Sequence, residues 1–269
     1  MLLLKKIIMF HKVRLSLQNR LQYAIEVSCY NYLGLEWNIR SKLPVKIRSS
    51  AEWAIYNDIF VDREYDAAIE QALKSSTNLQ AFEILDLGAN VGFFILRCAS
   101  LISDYNLSQS DFNVVAVEGS LKNFNELDAR LKDADFRSGF PTVDTNLIHG
   151  LVGNLDGEGF IEEFDFHVMN AVTLNPSKKG RKVPYINLNK IYGDVKSIDL
   201  LKCDIEGSEL TFINNYQNLL SKTNVAVFEM HHNQCDTDKC VEILHSCGLE
   251  LCQTLKQGSD FSLQYFTRL

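Results

Sequence analysis

The sequence has no uninterrupted apolar run close to the ~18 residues that a membrane-spanning helix needs, and its 269 residues contain no internal repeat. The opening segment MLLLKKIIMF is broken by Lys5 and Lys6 and lacks the small-residue cleavage site of a signal peptide. Seven cysteines, an odd number, do not indicate a secreted disulfide framework. We therefore expect a cytoplasmic protein.

Positive charge is scarce outside the first 50 residues. Residues 1–50 carry nine lysines and arginines against two glutamates, a net +7, whereas the whole chain has a formal charge of −7. The remaining residues therefore carry −14, and such an acidic body argues against nucleic acid as the main ligand. The basic segment 1–50 leaves two alternatives open. It packs on the following domain and covers an acceptor pocket, or it makes a peripheral contact with a membrane.

Helical spacing of apolar residues dominates the first part of the chain. It predicts helices at 13–33, 51–57 and 67–74, and the polar segment SSTNLQ follows them. We therefore predict an N-terminal helical extension at residues 1–78 and a Rossmann-like domain at 79–269.

From residue 82 onward, near-continuous apolar strands alternate with helices. The predicted strands are FEILDLG, NVVAVEG, NLIHGLVG, SIDLLKCDIEG, NVAVFEMH, LELCQTL and FSLQYFTRL. The predicted helices are VGFFILRCASLIS, LKNFNELDARLKD, SELTFINNYQNLL and the segment around DKCVEILHSCG, with GEGFIEEFDFHV and KVPYINLNKIY as extended excursions. This alternation predicts an α/β fold with a doubly wound, mostly parallel sheet and one antiparallel strand at or near an edge.

The segment FEILDLGANVGFF places Asp86 at the end of a buried strand, with Gly88 and Gly92 in the loop that follows. Ligands of doubly wound sheets lie beyond the carboxyl ends of the strands, and glycines let backbone approach a ligand closely. Glu118 ends the next strand, where its carboxylate can accept both hydroxyls of a ribose. Asn90 occupies the place of the second glycine of the dinucleotide fingerprint. A ligand with a ribose, an ammonium and a carboxylate but no pyrophosphate therefore fits better, and S-adenosylmethionine is such a ligand.

Four segments, ILDLGANVGFF, VVAVEGS, VPYINLNKI and IDLLKCDIEGSEL, together resemble the FkbM family of S-adenosylmethionine-dependent methyltransferases. IFVDREYD also looks like the family's lead-in, so the resemblance covers residues 51–230. It implies a class I methyltransferase fold, a seven-stranded sheet with the last strand antiparallel. It also implies the cofactor-binding residues: Asp86, Gly88, Ala89, Asn90 and Gly92 at the methionine end, and Glu118 with Gly119 at the ribose.

Lys202, Asp204 and Glu206 alternate with apolar residues at the end of a predicted strand. Three ionisable groups there are costly without ligands or mutual pairing. Our functional hypothesis is that Asp204 lies nearest the chemistry and takes the proton of an acceptor hydroxyl. Lys202 then pairs with Asp204 or an acceptor oxygen, and Glu206 orients the turn. The alternative is a Lys202–Asp204 ion pair that only braces the strand.

The next strand ends in FEMHHNQ, which offers Glu229, His231 and His232. Each of them could complete a base or a divalent-metal site with Asp204, since carboxylates and imidazole suit such ions. We include His231 among the candidate catalytic residues and assign no metal ligand. A zinc site with cysteines is not favoured, because no cysteine pair has CxxC spacing. The cysteines of the predicted helix DKCVEILHSCG share a face with a leucine, as core residues do.

The leading functional hypothesis is an O-methyltransferase that acts on a hydroxyl of a small molecule, a sugar or glycan or a polyketide-like metabolite. The acceptor class rests on the family resemblance alone. One alternative is RNA 2′-O-methylation, which the acidic body opposes because phosphate binding favours a basic face. The other is a non-catalytic binding or scaffold protein with a cofactor fold, which the intact cofactor motifs oppose.

Overall fold

A computed structural model describes residues 36–38, 44–47, 49–76, 81–104, 111–139, 143–162, 171–173, 180–193 and 197–268. The helix predicted at 13–33 and most of the basic segment 1–50 lie outside the described residues, so both alternatives for that segment stay predictions. In the described part of the chain, no helix has the length and apolar character needed to cross a membrane.

The described secondary structure alternates as the sequence predicts. The strands are β1 (Glu36–Asn38), β2 (Pro44–Lys46), β3 (Ala81–Leu87), β4 (Asp111–Glu118), β5 (Val143–His149), β6 (Glu158–Glu162), β7 (Ala171–Thr173), β8 (Arg181–Pro184), β9 (Ile198–Cys203), β10 (Thr223–His231), β11 (Leu249–Gln257) and β12 (Phe261–Arg268). The helices are α1 (Ser50–Tyr56), α2 (Asp66–Ser75), α3 (Phe93–Asp104), α4 (Leu121–Leu131), α5 (Ala134–Gly139), α6 (Asn189–Tyr192), α7 (Glu209–Asn215), α8 (Gln217–Leu220) and α9 (Thr237–Ser246).

Seven strands form one sheet in the order β11-β12-β10-β9-β3-β4-β5. Strand pairs from β10 to β5 are parallel, and β12 runs antiparallel to both of its neighbours. The predicted doubly wound α/β sheet with one antiparallel strand next to an edge is therefore confirmed. The carboxyl ends of β3, β4, β9 and β10 meet at one edge, where the ligand site is expected.

Hydrophobic clusters cover both faces of this sheet. Ile84 and Leu200 belong to the cluster that contains α2, α3 and α4. Their neighbours Leu85 and Leu201 belong to the cluster that contains α7, α8 and α9. Successive residues of a strand point to opposite faces, so these central strands are apolar without alternation because both of their faces are buried.

The described N-terminal elements share this core. Val45, Ile47, Ile59 and Ile69 are buried in the same cluster as α3. Asn57–Val61 forms a π-helical turn that continues α1, where the sequence predicts the helix end. The domain boundary between residues 78 and 79 stays a prediction.

Several predicted elements differ in extent, among them the strand SIDLLKCDIEG, which ends as β9 at Cys203. β5 ends at His149 instead of reaching Gly153, because Leu151 donates its N–H to Pro184 (2.9 Å) and leaves the main sheet. Within the two predicted excursions, β6 and β8 form a separate sheet with β7 in the order β7-β6-β8, whereas the end of the second excursion is the helix α6. The predicted helix SELTFINNYQNLL is two helices, since Tyr216 between α7 and α8 leaves helical geometry and its buried hydroxyl donates to Ile186 (3.0 Å).

Arg268, the last residue of β12, connects this strand to the start of β10 and to the ends of α8 and α9. Its guanidinium donates to the carbonyl oxygens of Leu220 (2.7 Å), Thr223 (2.9 Å) and Cys247 (3.1 Å).

We expect Arg268→Met to lower the free energy of unfolding by about 1–3 kcal/mol, because hydrogen bonds from a charged donor are lost while the carbonyls regain some hydrogen bonds to water. Urea denaturation followed by circular dichroism measures this. Arg181→Met, at an exposed position of β8, is the control, and an equal loss in both variants would contradict the assignment.

Candidate active site

The loop after β3 lies directly against the end of β9. Gly88 has φ +75°, and a Cβ there would lie 1.7 Å from the carbonyl oxygen of Asp204. The Asp204 N–H donates to Leu87 at 3.0 Å. Only glycine therefore allows this approach. Asn90 also has positive φ, 50°, a conformation that asparagine tolerates better than most residues.

Gly92 lies where two helices pack closely, and its contact with the cofactor stays a prediction. With φ +89°, a Cβ there would lie 2.7 Å from Cδ1 of Leu127 on α4. Gly92 does not line either of the two cavities described below. Because Gly92 has no side chain, α3 can begin close to α4.

Glu118 joins the loop to the end of β4. It is 6% exposed, and its two carboxylate oxygens accept the N–H groups of Asn90 and Ser120, each at 2.8 Å. Burial raises the pKa of Glu118 to about 7, although these two backbone donors act in the opposite direction. A carboxylate has about four acceptor sites, so Glu118 can also accept hydroxyls of a ligand.

A crevice crosses the ends of β3, β4 and β5. It is lined by predicted cofactor residues, Gly88, Asn90, Glu118 and Gly119, and by residues that sequence reasoning missed, Asn123, Gly150, Leu151, Val152, Ile161 and Ile205. The side-chain oxygens of Asn90 and Asn123 are buried and have no hydrogen-bond partner within the described residues. Polar atoms in this state fit a polar ligand such as a nucleoside. The missed residues come from a helix turn, a strand end and a distant strand, and no local pattern marks them.

A second cavity of about 550 Å³ adjoins the crevice. Its lining comes from the region between α1 and α2, from α3, and from the ends of β9, β10 and β11: among others Asp58, Glu64, Tyr65, Ala89, Phe93, Phe94, Lys202, Glu229, His231, Lys256 and Asp260. Gly88, Asn90, Asp204 and Glu206 line both the crevice and this cavity. Molecules bound in the two spaces would therefore meet at these four residues.

Lys202 forms a buried ion pair with Asp86. Its Nζ lies 3.4 Å from Oδ1 of Asp86 and 3.7 Å from Oδ2 of Asp204, and it donates to the Gly88 carbonyl at 2.9 Å. Burial by itself lowers the pKa of Lys202, but the neighbouring carboxylates outweigh it and raise that pKa. Lys202 therefore stays an ammonium and is not a base. Asp86 is fully buried and lines neither cavity.

Glu206, Glu229 and His231 form a cluster with Asp204 at the second cavity. Nε2 of His231 lies 3.4 Å from Glu206 and 3.8 Å from Glu229. Burial, together with the charge of Asp204, raises the pKa of both glutamates to about 8. Burial lowers the pKa of His231, but a hydrogen bond to Glu209 and nearby carboxylates outweigh it and raise that pKa to about 9.

The same cluster has the spacing of a divalent-metal site. Side-chain atoms of Asp204, Glu206 and His231 all lie within 4.8 Å of one another, so together they could coordinate a divalent ion. The pairing of the imidazole with carboxylates also accounts for this arrangement without an ion. His232 faces elsewhere, with Nε2 2.9 Å from the Ser262 hydroxyl, so the structure brings His231 and not His232 to the cavity.

The cysteines of α9 are core residues, as predicted. Cys240, Leu244 and Cys247 are 0%, 0% and 9% exposed and belong to one hydrophobic cluster.

The sheet topology and the crevice at its carboxyl edge define a Rossmann-like methyltransferase of class I, a class whose methyl donor is S-adenosylmethionine. The chain belongs to the FkbM family of methyltransferases, because the family model described as Methyltransferase FkbM domain matches residues 86–251, more than half of the chain. No curated protein matches the chain.

Several solved structures are similar to this chain. The methyltransferase FkbM from Methylobacillus flagellatus KT is 15% identical over 91% of this chain and 60% of that one, with a TM-score of 0.46. A TehB-like SAM-dependent methyltransferase from Corynebacterium glutamicum is 14% identical over 80% of this chain and 100% of that one, with a TM-score of 0.34. Precorrin-6y C5,15-methyltransferase from Geobacter metallireducens GS-15 is 13% identical, covering 76% and 87%, with a TM-score of 0.41. This chain thus spans 60% of the length of the FkbM structure, and at such TM-scores the family model alone carries the assignment.

Removal of the Lys202 ammonium leaves the buried carboxylate of Asp86 without its nearest opposite charge. We expect Lys202→Met to lower the free energy of unfolding by about 3–5 kcal/mol, the typical loss when one partner of a buried pair is removed. The double variant Asp86→Leu/Lys202→Met should regain most of that loss, because neither charge is then buried. Urea denaturation of the three proteins measures both effects. Wild-type stability of Lys202→Met would show that the pair is not the main electrostatic contact of Asp86.

Proposed function

We propose that this protein transfers the methyl group of S-adenosylmethionine to a hydroxyl of a small-molecule acceptor, a sugar or glycan or a polyketide-like metabolite. The observation that carries the proposal is the meeting of crevice and cavity at Gly88, Asn90, Asp204 and Glu206. When bound, S-adenosylmethionine supplies a methyl group already activated by its sulfonium. The protein then has to align the acceptor and accept its proton.

The crevice fits the cofactor through its polar atoms. Glu118 would accept the ribose hydroxyls. The side-chain oxygens of Asn90 and Asn123, which have no partner in the described part of the chain, would accept further donors of the nucleoside. The loop from Gly88 to Asn90 would face the methionine end. Asp86 would act on that end only through Lys202, which donates to the Gly88 carbonyl.

Asp204 is the proposed base. It lines both spaces, and its side chain is 27% exposed, so an acceptor hydroxyl can reach it. Its closest ion pair among the described residues is with the Lys202 ammonium, 3.7 Å away. Glu206, held at φ 51° in the turn that follows, lies between Asp204 and His231 in sequence and lines the same cavity.

The acidic wall of the second cavity opposes the RNA alternative. Asp58, Glu64 and Asp260 line it together with the Asp204 cluster, and Lys256 is already paired with Asp58 (3.2 Å) and with Glu64. A phosphate backbone would meet carboxylates where it needs cations. An uncharged, hydroxyl-bearing acceptor meets no such repulsion.

The purified protein should bind S-adenosylhomocysteine in the micromolar range and should not bind NAD. A Kd of ~1 μM corresponds to ~8 kcal/mol, measurable by calorimetry. Glu118→Ala should weaken binding by about 1.5–3 kcal/mol for each charge-assisted bond lost, whereas the exposed Glu242→Ala should not. Because the ionised carboxylate is the stronger acceptor, affinity should fall as the pH drops below about 7, the pKa of Glu118. A wild-type protein that binds neither methyl donor nor product would end the methyltransferase proposal.

Asp204→Asn should reduce turnover by about 10²–10⁴-fold, the usual loss when a general base is removed, with cofactor affinity nearly unchanged. The assay is a mass-spectrometric screen of glycans and metabolites with isotopically labelled S-adenosylmethionine, followed by kinetics on the acceptor found. Asp238→Asn, at an exposed position of α9, is the control.

A chelator distinguishes two versions of this chemistry. Activity that is lost with EDTA and restored by Mg²⁺ or Mn²⁺ would assign a metal-assisted mechanism, and indifference to EDTA would assign a direct base. Near-wild-type turnover of Asp204→Asn, with chemistry shown to be rate-limiting, would refute the role of Asp204 in either version.

A further inference from the structure

Glu209 is a buried carboxylate with one charged partner among the described residues. It is the first residue of α7 and is 0% exposed. Its Oε1 accepts the Gly207 N–H at 3.0 Å and lies 3.0 Å from Nδ1 of His231. Its Oε2 is buried and has no hydrogen-bond partner among the described residues. A charge in this position is costly unless it is paired, so the contact with His231 is its main compensation.

This contact determines which nitrogen of His231 faces the acceptor. An ionised carboxylate only accepts hydrogen bonds. Nδ1 must therefore carry a proton and donate a hydrogen bond to Glu209. Nε2 then faces Glu206 and Glu229 at 3.4 and 3.8 Å. Both distances exceed those of a normal hydrogen bond, and none forms to Nε2 among the described residues. His231 lines the second cavity, so Nε2 is available to a ligand there.

We propose that Glu209 is a positioning residue that fixes the His231 ring with Nε2 toward the acceptor cavity, where its N–H donates a hydrogen bond to a second oxygen of the acceptor. The proposal rests on the proposed function, in which the reacting hydroxyl lies at Asp204. The negative charge of Glu209 raises the pKa of His231 and so keeps the imidazole ring positively charged. Nε2 is therefore a hydrogen-bond donor and not the base. With the reacting hydroxyl bound to Asp204 and a second acceptor oxygen bound to Nε2 of His231, the orientation of the hydroxyl would be fixed before transfer.

Side-chain ¹H–¹⁵N NMR of histidine-labelled protein tests the positioning without any acceptor. Wild-type protein should show a low-field Nδ1–H resonance of His231 protected from exchange with water. Glu209→Gln, whose amide oxygen can still accept this bond, should keep the resonance at a shifted position, and Glu209→Leu should abolish it.

The matched control is His245, whose Nε2 lies 2.8 Å from Glu250 on the surface and whose side chain is 67% exposed. Glu250→Leu should leave the His231 resonance unchanged. Absence of the resonance from wild-type protein, or its persistence in Glu209→Leu, overturns the positioning.

Methyl transfer to methyl glycosides, followed with labelled S-adenosylmethionine, tests the recognition step. Glu209→Leu and His231→Asn should each raise the acceptor KM about tenfold or more, the effect of losing one bond from a charged donor. The Kd of S-adenosylhomocysteine should not change, and Glu250→Leu should behave as wild type. An unchanged acceptor KM in both site variants overturns the recognition. Failure of the wild type to methylate any hydroxyl compound overturns the proposed function and the recognition with it, whereas the NMR result stands separately.

Discussion

The site depends on the contacts of the buried Lys202 ammonium. It lies between the carboxylates of Asp86 (3.4 Å) and Asp204 (3.7 Å) and donates to the carbonyl oxygen of Gly88 (2.9 Å). These three partners belong to β3, to the loop after it and to the end of β9. One side chain therefore links β3 and the loop after it to the end of β9, and its charge balances the buried carboxylate of Asp86.

Around this contact the two spaces have different chemistry. The crevice combines apolar side chains with a few buried polar atoms, as a site for a nucleoside does. The cavity beside it is rich in carboxylates, and each cation in its described lining already has a carboxylate partner: Asp86 for Lys202, Asp58 for Lys256 and Glu209 for His231. Under the proposed function, this division would let one sheet edge hold a cofactor of defined structure and leave acceptor choice to the surrounding loops and helices.

Much of the fold followed from local patterns. Apolar strands alternating with helices predicted the sheet and its antiparallel strand, and the helix predicted to start at residue 121 does start there, with Ser120 as its N-cap. The misplaced boundaries have tertiary causes. β5 stops at His149 because the next residues pair with β8, and Tyr216 interrupts a helical pattern because its hydroxyl reaches Ile186. Both depend on partners far along the chain, which local periodicity does not contain.

The sequence by itself determined which residues could carry chemistry. The Asp86 loop, Glu118 and the alternating run from Lys202 to Glu206 stand at strand ends, where a doubly wound sheet binds ligands. Only the tertiary structure decided their roles relative to one another. It buried Asp86 as the partner of Lys202, turned His231 but not His232 to the cavity, and placed Glu209 behind it. The reason is physical: strand position follows from short-range pattern, whereas side-chain pairing depends on distances between segments far apart in sequence.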